Sequence, residues 1–263
     1  MTKKLVSLLI AVLFLLSVSA CAPILLPTEP AIPFTEPTEY TTSSTEPSAT
    51  VVETAPAHSL LYIPGLDVED VIRYFNEVCL DAEFAISGDA SVLQKWTSPI
   101  LYTVNGDPTV EDLSVLSAFT AWLNTIDGFP GIMEVDSPEL ANLQLHFCTR
   151  REMLDLMGRD YNDLDGAMTF WYNDNEIYDA IICVRTDLAQ NVRNSVIQEE
   201  IYNVLGPAQD TDLRRDSMIY SGYSTPQELT EIDELILKLL YHPDLQCGMT
   251  ADDCETMIRL IYD

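Results

Sequence analysis

The sequence predicts an α+β domain, and three observations carry that reading. Leu143–Cys148 alternates apolar and polar residues as a half-buried strand does. Met168–Tyr172 and Ile177–Val184 are two further strand-like runs, separated by Asn173-Asp174-Asn175 at hairpin spacing. Thr-x-x-Asp recurs at Thr109/Asp112, Thr230/Asp233 and Thr250/Asp253, each time ahead of apolar residues at helical spacing, which is the signature of a capping box.

Taken in order, the 263 residues begin with Lys3 and Lys4, an apolar run from Leu5 to Leu16, and Val18-Ser19-Ala20-Cys21. The run is short for a membrane span and suits a secretory leader over residues 1–20. This N-terminus resembles that of bacterial lipoproteins. The resemblance implies that Cys21 becomes the lipidated first residue of an extracytoplasmic protein anchored to the cell membrane, where two acyl chains give stable attachment. Over residues 21–57 Thr, Pro, Glu and Ser dominate, with Thr-Glu-Pro at Thr28, Thr35 and Thr45. Too few apolar side chains are present there to offset ordering entropy, so the stretch reads as a disordered tether. The globular domain is expected over residues 58–263.

Within it, Asp67 precedes Val68, Val71, Ile72, Phe75, Val78 and Cys79, an amphipathic helix with its N-cap. Ile100–Val104 reads as a strand, turned by Asn105-Gly106-Asp107-Pro108. Thr109 then opens a helix through Ile126, which Asp127-Gly128-Phe129-Pro130-Gly131 breaks. Arg150–Met157 reads as a short helix closed by Gly158. After the hairpin, a helix from Ala189 to Leu205 carries Val192, Val196, Ile197, Ile201, Val204 and Leu205, so apolar a surface that burial on more than one side is expected. Thr230 opens a helix with Ile232, Leu235, Ile236, Leu239 and Leu240 as its packing stripe, ended by His242-Pro243. Thr250 opens the last, through Ile261.

The stretch Ser195–Tyr220 carries the functional question. Glu199 and Asn203 are four residues apart and share one helix face, Glu200 lies beside Glu199, and Gly206 ends the helix. This frame resembles the metzincin branch of the zincin metallopeptidases, whose motif is His-Glu-x-x-His-x-x-Gly-x-x-His followed by a turn containing Met. By that resemblance Glu199 and Asn203 stand at the helix-histidine positions and Glu200 at the general base. Gly206 stands at the motif glycine, Gln209 with Asp210 beside it at the third ligand, and Met218 in the Met-turn. The pattern Glu-Glu-x-x-Asn-x-Leu-Gly, with Leu-Thr-x-x-Asp and Leu-Leu-Tyr-His-Pro after it, is closer still to an uncharacterised bacterial family of zincin-like envelope proteins. The resemblance is specific over about residues 190–250. It implies a mixed twisted sheet packed on the helix of Glu199, a Met-turn and C-terminal helices.

No residue suited to zinc stands at the three ligand positions. Zincin chemistry needs imidazoles to hold the zinc that acidifies a water for the Glu to deprotonate. The three histidines, His58, His146 and His242, have no ligand spacing. Glu199, Asn203 and Asp210 would better suit calcium or magnesium, which take oxygen ligands. Asp160–Gly166 invites a calcium reading but fails the EF-hand spacing, because Tyr161 would fall at the first ligand. Glu199 and Glu200 read best as structural acceptors, with Arg193, Arg214 and Arg215 the arginines nearest in sequence.

Other classes fall away. The net charge of −29 repels phosphate backbones and excludes nucleic acid as a partner. No Gly-x-Ser-x-Gly elbow, Gly-rich phosphate loop or Cys-x-x-Cys occurs. Of the cysteines after Cys21, Cys247 and Cys254 flank a short turn and are the best-placed pair, free thiols being the alternative. Cys79, Cys148 and Cys183 sit in apolar runs and read as buried thiols. Two functions remain. One is a lipid-anchored, metal-free pseudo-peptidase module that binds a polypeptide or envelope component with its cleft or edge strand. The other is a hydrolase with a noncanonical oxygen-ligated metal in the same cleft.

Overall fold

The elements form where their local signals place them. The computed structural model describes residues 61–80, 92–158, 164–222 and 228–262. The expected leader, Cys21, the tether and Asp160–Asp163 lie outside the described residues.

Helix α1 spans Val68–Leu80, and Asp67 caps it by accepting from the Glu69 amide at 2.8 Å. Strands β1 (Lys95–Trp96) and β2 (Ile100–Gly106) follow. Helix α2 (Val110–Leu123) opens on the Thr109/Asp112 capping box and stops at Leu123, three residues before the expected Ile126. Strands β3 (Ile132–Glu134) and β4 (Leu143–Cys148) and helix α3 (Arg150–Met157) come next. The hairpin β5 (Gly166–Asn173) and β6 (Glu176–Arg185) turns through Asp174 and Asn175, both at positive φ, a conformation these two residue types tolerate. Helices α4 (Gln190–Val204), α5 (Glu231–Leu240) and α6 (Ala251–Tyr262) complete the order. The two-residue β1 and three-residue β3 are too short to show a period in the sequence.

The sheet is mixed. Strands β3, β2, β4 and β6 run parallel, β1 pairs in parallel with the first residues of β6, and β5 pairs antiparallel along β6. Register places Val104 beside Leu145 and Leu145 beside Ile182. In β6 the Ala180–Val184 run is apolar throughout because both its faces are covered. Ala180, Ile182 and Val184 point into the main core with α4, while Ile181 and Cys183 join Cys148, Met153 and Ala167 under α3.

Two capping-box aspartates do more than cap. Asp112 is fully buried and accepts from Arg193 Nε at 2.7 Å and Gln190 Nε2 at 2.6 Å, tying α2 to α4. Asp233, also fully buried, accepts from Tyr74 of α1 at 3.0 Å and from Ser217 at 2.7 Å. The expected Cys247–Cys254 disulfide is not formed. Cys247 directs its thiol to the Lys95 carbonyl at 3.7 Å, and Cys254 is buried as a free thiol. Cys79, Cys148 and Cys183 are buried free thiols, as expected.

Candidate functional site

Helix α4 is the centre of the site because its ends and both flanks are fixed. Its last carbonyls, orphaned by helix geometry, are taken up by Trp96 Nε1 (to Val204 O, 3.0 Å) and Tyr241 Oη (to Leu205 O, 2.8 Å). Gly206 then turns the chain at φ +136°, where a Cβ would lie 2.7 Å from the Gln94 carbonyl oxygen, so only glycine fits. The helix packs on β5 and β6 on one side and α2 on another, and Glu200, Ile201, Tyr202 and Asn203 are buried in succession.

The Glu200 carboxyl presses on the backbone of β5. A Cβ at Gly166 would meet its Oε1 at 2.6 Å and Val196 Cγ1 at 2.4 Å, so the glycine is what lets helix and strand approach. Burial, then the charges of Glu199 and Asp210, push the Glu200 pKa well above the usual carboxyl range. Glu199 is raised to about 8, first by burial and then by Asp210 and Asp165. Glu199 and Glu200 on α4 thus feel the charge of Asp210 in the loop after it, and Glu199 also that of Asp165 just before β5. The shift of Glu200 is toward the uncharged acid, the form a low-dielectric site tolerates.

The arginines expected nearby serve elsewhere. Arg193 is committed to Asp112, Arg214 pairs with Asp216 at 2.8 Å, and Arg215 lies over the Tyr220 ring. Among the described residues neither Glu199 nor Glu200 forms an ion pair. Burial and neighbouring acids, with no guanidinium against them, push both carboxyls up. Asn203 Oδ1 and Gln209 Oε1 are buried without hydrogen-bond partners. Two of the positions assigned to metal ligands therefore carry unsatisfied acceptors.

Met218 lies in a turn fixed by one carboxylate. Its amide donates to Asp233 Oδ2 at 3.1 Å, the Ile219 amide donates to Ser217 Oγ at 3.1 Å, and Tyr202 of α4 donates to the Asp233 carbonyl at 3.1 Å. The Met218 turn, α5 and the C-terminal half of α4 meet on Asp233.

The donors do not suit zinc. Glu199, Asn203 and Gln209 supply one carboxylate and two amides where imidazole or thiolate is required. Among the described residues no group of three or more His, Cys, Asp or Glu side chains is arranged to hold an ion. The acid pair consists of a half-buried Glu199 and a Glu200 only 7% exposed, both shifted toward the uncharged acid.

An open groove lies on another flank of α4, and sequence reasoning missed it. It is lined by Val115, Ala118, Phe119 and Trp122 of α2, Asn194 and Gln198 of α4, and Glu228, Leu229 and Glu234 before and in α5, with a volume of about 440 Å³. The signal was present in α2, whose apolar residues occupy more than the single stripe a core-facing helix needs.

Residues 68–260 match the profile of a family described as "Protein of unknown function (DUF2927)". No curated protein matches the chain.

Proposed function

The chain belongs to the DUF2927 family, and on that footing we propose that it is a binding module, a pseudo-peptidase that holds a polypeptide without cleaving it. One observation carries the reading. Glu200, the residue at the general-base position of the metzincin-like frame, is buried against Gly166 with its pKa pushed up, whereas an open groove lies on another flank of the same helix. A general base must reach its substrate's proton and be ionised to take it; burial denies Glu200 the first and shifts it away from the second. The Met218 turn held by Asp233 and the antiparallel β5, paired only with β6 among the described residues, support descent of the fold from a zincin-like frame. The Val18-Ser19-Ala20-Cys21 sequence supports lipid anchoring through Cys21 outside the cytoplasm, at the bacterial cell membrane. The test is to incubate unfolded polypeptides with the purified chain: they are retained and recovered intact.

The orphaned oxygens of Asn203 and Gln209 favour a second reading, a hydrolase with calcium or magnesium held beside Glu199 and Asp210. A rise in unfolding temperature with millimolar calcium, lost in Asn203→Leu, would favour it over the first.

A further inference from the structure

We propose that the groove between α2 and α5 is the ligand site of the module and that it takes a cationic, amphipathic peptide segment. The proposal rests on the binding-module reading and adds to it the place and the chemistry of recognition.

Helix α2 carries two apolar stripes. Leu116, Phe119, Thr120 and Leu123 face the core and are buried. Val115, Ala118, Phe119 and Trp122 stand at i, i+3, i+4 and i+7 and line the groove. That second stripe is the arrangement by which one helix face presents anchors to a docked segment. Phe119 and Trp122 stack with ring centroids 5.8 Å apart and planes within 22°, so the buried Phe119 holds the more exposed Trp122 ring in place at the groove. The volume of about 440 Å³ lies in the range of sites that hold a ligand or a few anchor side chains.

Charge selects the occupant. The lining also bears Glu228 and Glu234, and among the described residues no lysine or arginine lines the groove. Glu234 is bridged by Lys238 at 2.8 Å, whereas Glu228 forms no ion pair among the described residues. Aromatic rings and carboxylates in one groove suit a Lys or Arg side chain, whose stem packs on the rings while its cation meets the acids. The acidic rim disfavours a second copy of this chain, which has a net charge of −29. It also disfavours the chain's own residues 22–57, which contain no Lys or Arg and bear Glu29, Glu36, Glu39, Glu46 and Glu53. A basic partner segment is what remains.

The test is calorimetric titration of the full chain at physiological salt with a synthetic Leu/Lys amphipathic peptide, its Leu/Glu counterpart serving as control. One-to-one binding of the Leu/Lys peptide is expected. It should weaken about fivefold or more in Glu228→Gln/Glu234→Gln and about tenfold in Trp122→Ala. The charge-matched Glu134→Gln/Asp136→Asn variant should stay within about twofold of the parent. Unfolding midpoints of all variants control for folding, and Trp122→Phe replaces Trp122→Ala if the latter is destabilised. Equal losses in both charge variants would overturn the groove assignment while leaving the binding-module reading intact. Equal affinity for the Leu/Glu peptide would overturn the ligand class. Failure of the chain to retain either peptide or any unfolded polypeptide would overturn both the groove and the reading it rests on.

Discussion

The Asp112 carboxylate and the Arg193 guanidinium meet at 2.7 Å with side-chain exposures of 0% and 6%, and this buried pair joins the helix that walls the groove to the helix that carries the acid pair. Burial alone would raise the Asp112 carboxyl, but the hydrogen bond from Arg193, followed by those from Thr109 and Gln190, brings it below the usual range. Removing one partner of a buried pair strands the other charge, so Asp112→Ala should lose about 3–5 kcal/mol in denaturant unfolding. A double variant, Asp112→Leu with Arg193→Met, should lose much less than the two single changes summed. The sign with pH follows from the depressed carboxyl: its contribution is present above the unfolded value near 3.8 and is lost as pH falls below it.

Glu199 and Glu200 give the opposite sign. With the folded Glu199 raised to about 8 and Glu200 raised as well, the native state binds more protons than the unfolded state above the ordinary value of 4.5. The Glu199 contribution is complete below that value and is lost as pH rises through about 8, and that of Glu200 is lost in the same direction. Thermal unfolding should therefore fall in midpoint between mildly acidic and alkaline pH. Glu200→Gln should flatten that slope and raise the alkaline midpoint by a few degrees, or about 1–2 kcal/mol. A Glu200→Gln protein with the parent's pH slope would contradict the upward shift at Glu200.

Gly166→Ala tests the contact that seals Glu200. Because the new methyl would lie 2.4 Å from Val196 Cγ1, overpacking should cost about 1–3 kcal/mol. Val196→Ala should recover part of that loss in the double variant, measured as a non-additive free energy of unfolding.

Cys21→Ser tests the anchor. The variant should leave the membrane fraction or keep its leader, as read by fractionation and by the mass of the mature chain. Unchanged fractionation and processing would contradict lipidation at Cys21.

Much of the fold was legible because its signals are local. The Thr109, Thr230 and Thr250 boxes, the Asp174-Asn175 turn and the alternation in β4 each depend on residues close in sequence, and each formed within a few residues of its expected place. What escaped depends on residues far apart. Nothing near Asp112 announces Arg193, 81 positions away, and that bond is why the arginine expected beside Glu199 and Glu200 is absent from them. Lys95 likewise gives no local hint that it is buried with its ammonium on the carbonyls of Leu240 and Leu245, satisfying the end of α5. Glu199, Glu200 and Asp210 were legible as candidates for one site, and the charge of Asp210 acts on both glutamates; the strength of the upward shift at Glu200 was not legible, because it follows from burial against Gly166.

The most direct test of the central claim is a peptide-cleavage assay run side by side on the parent chain and Glu200→Gln, each with added zinc, with added calcium and with chelator. The account predicts that peptides stay intact in every arm for both proteins while polypeptide retention persists. Turnover by the parent that chelator abolishes and Glu200→Gln lacks would contradict it and establish the hydrolase reading.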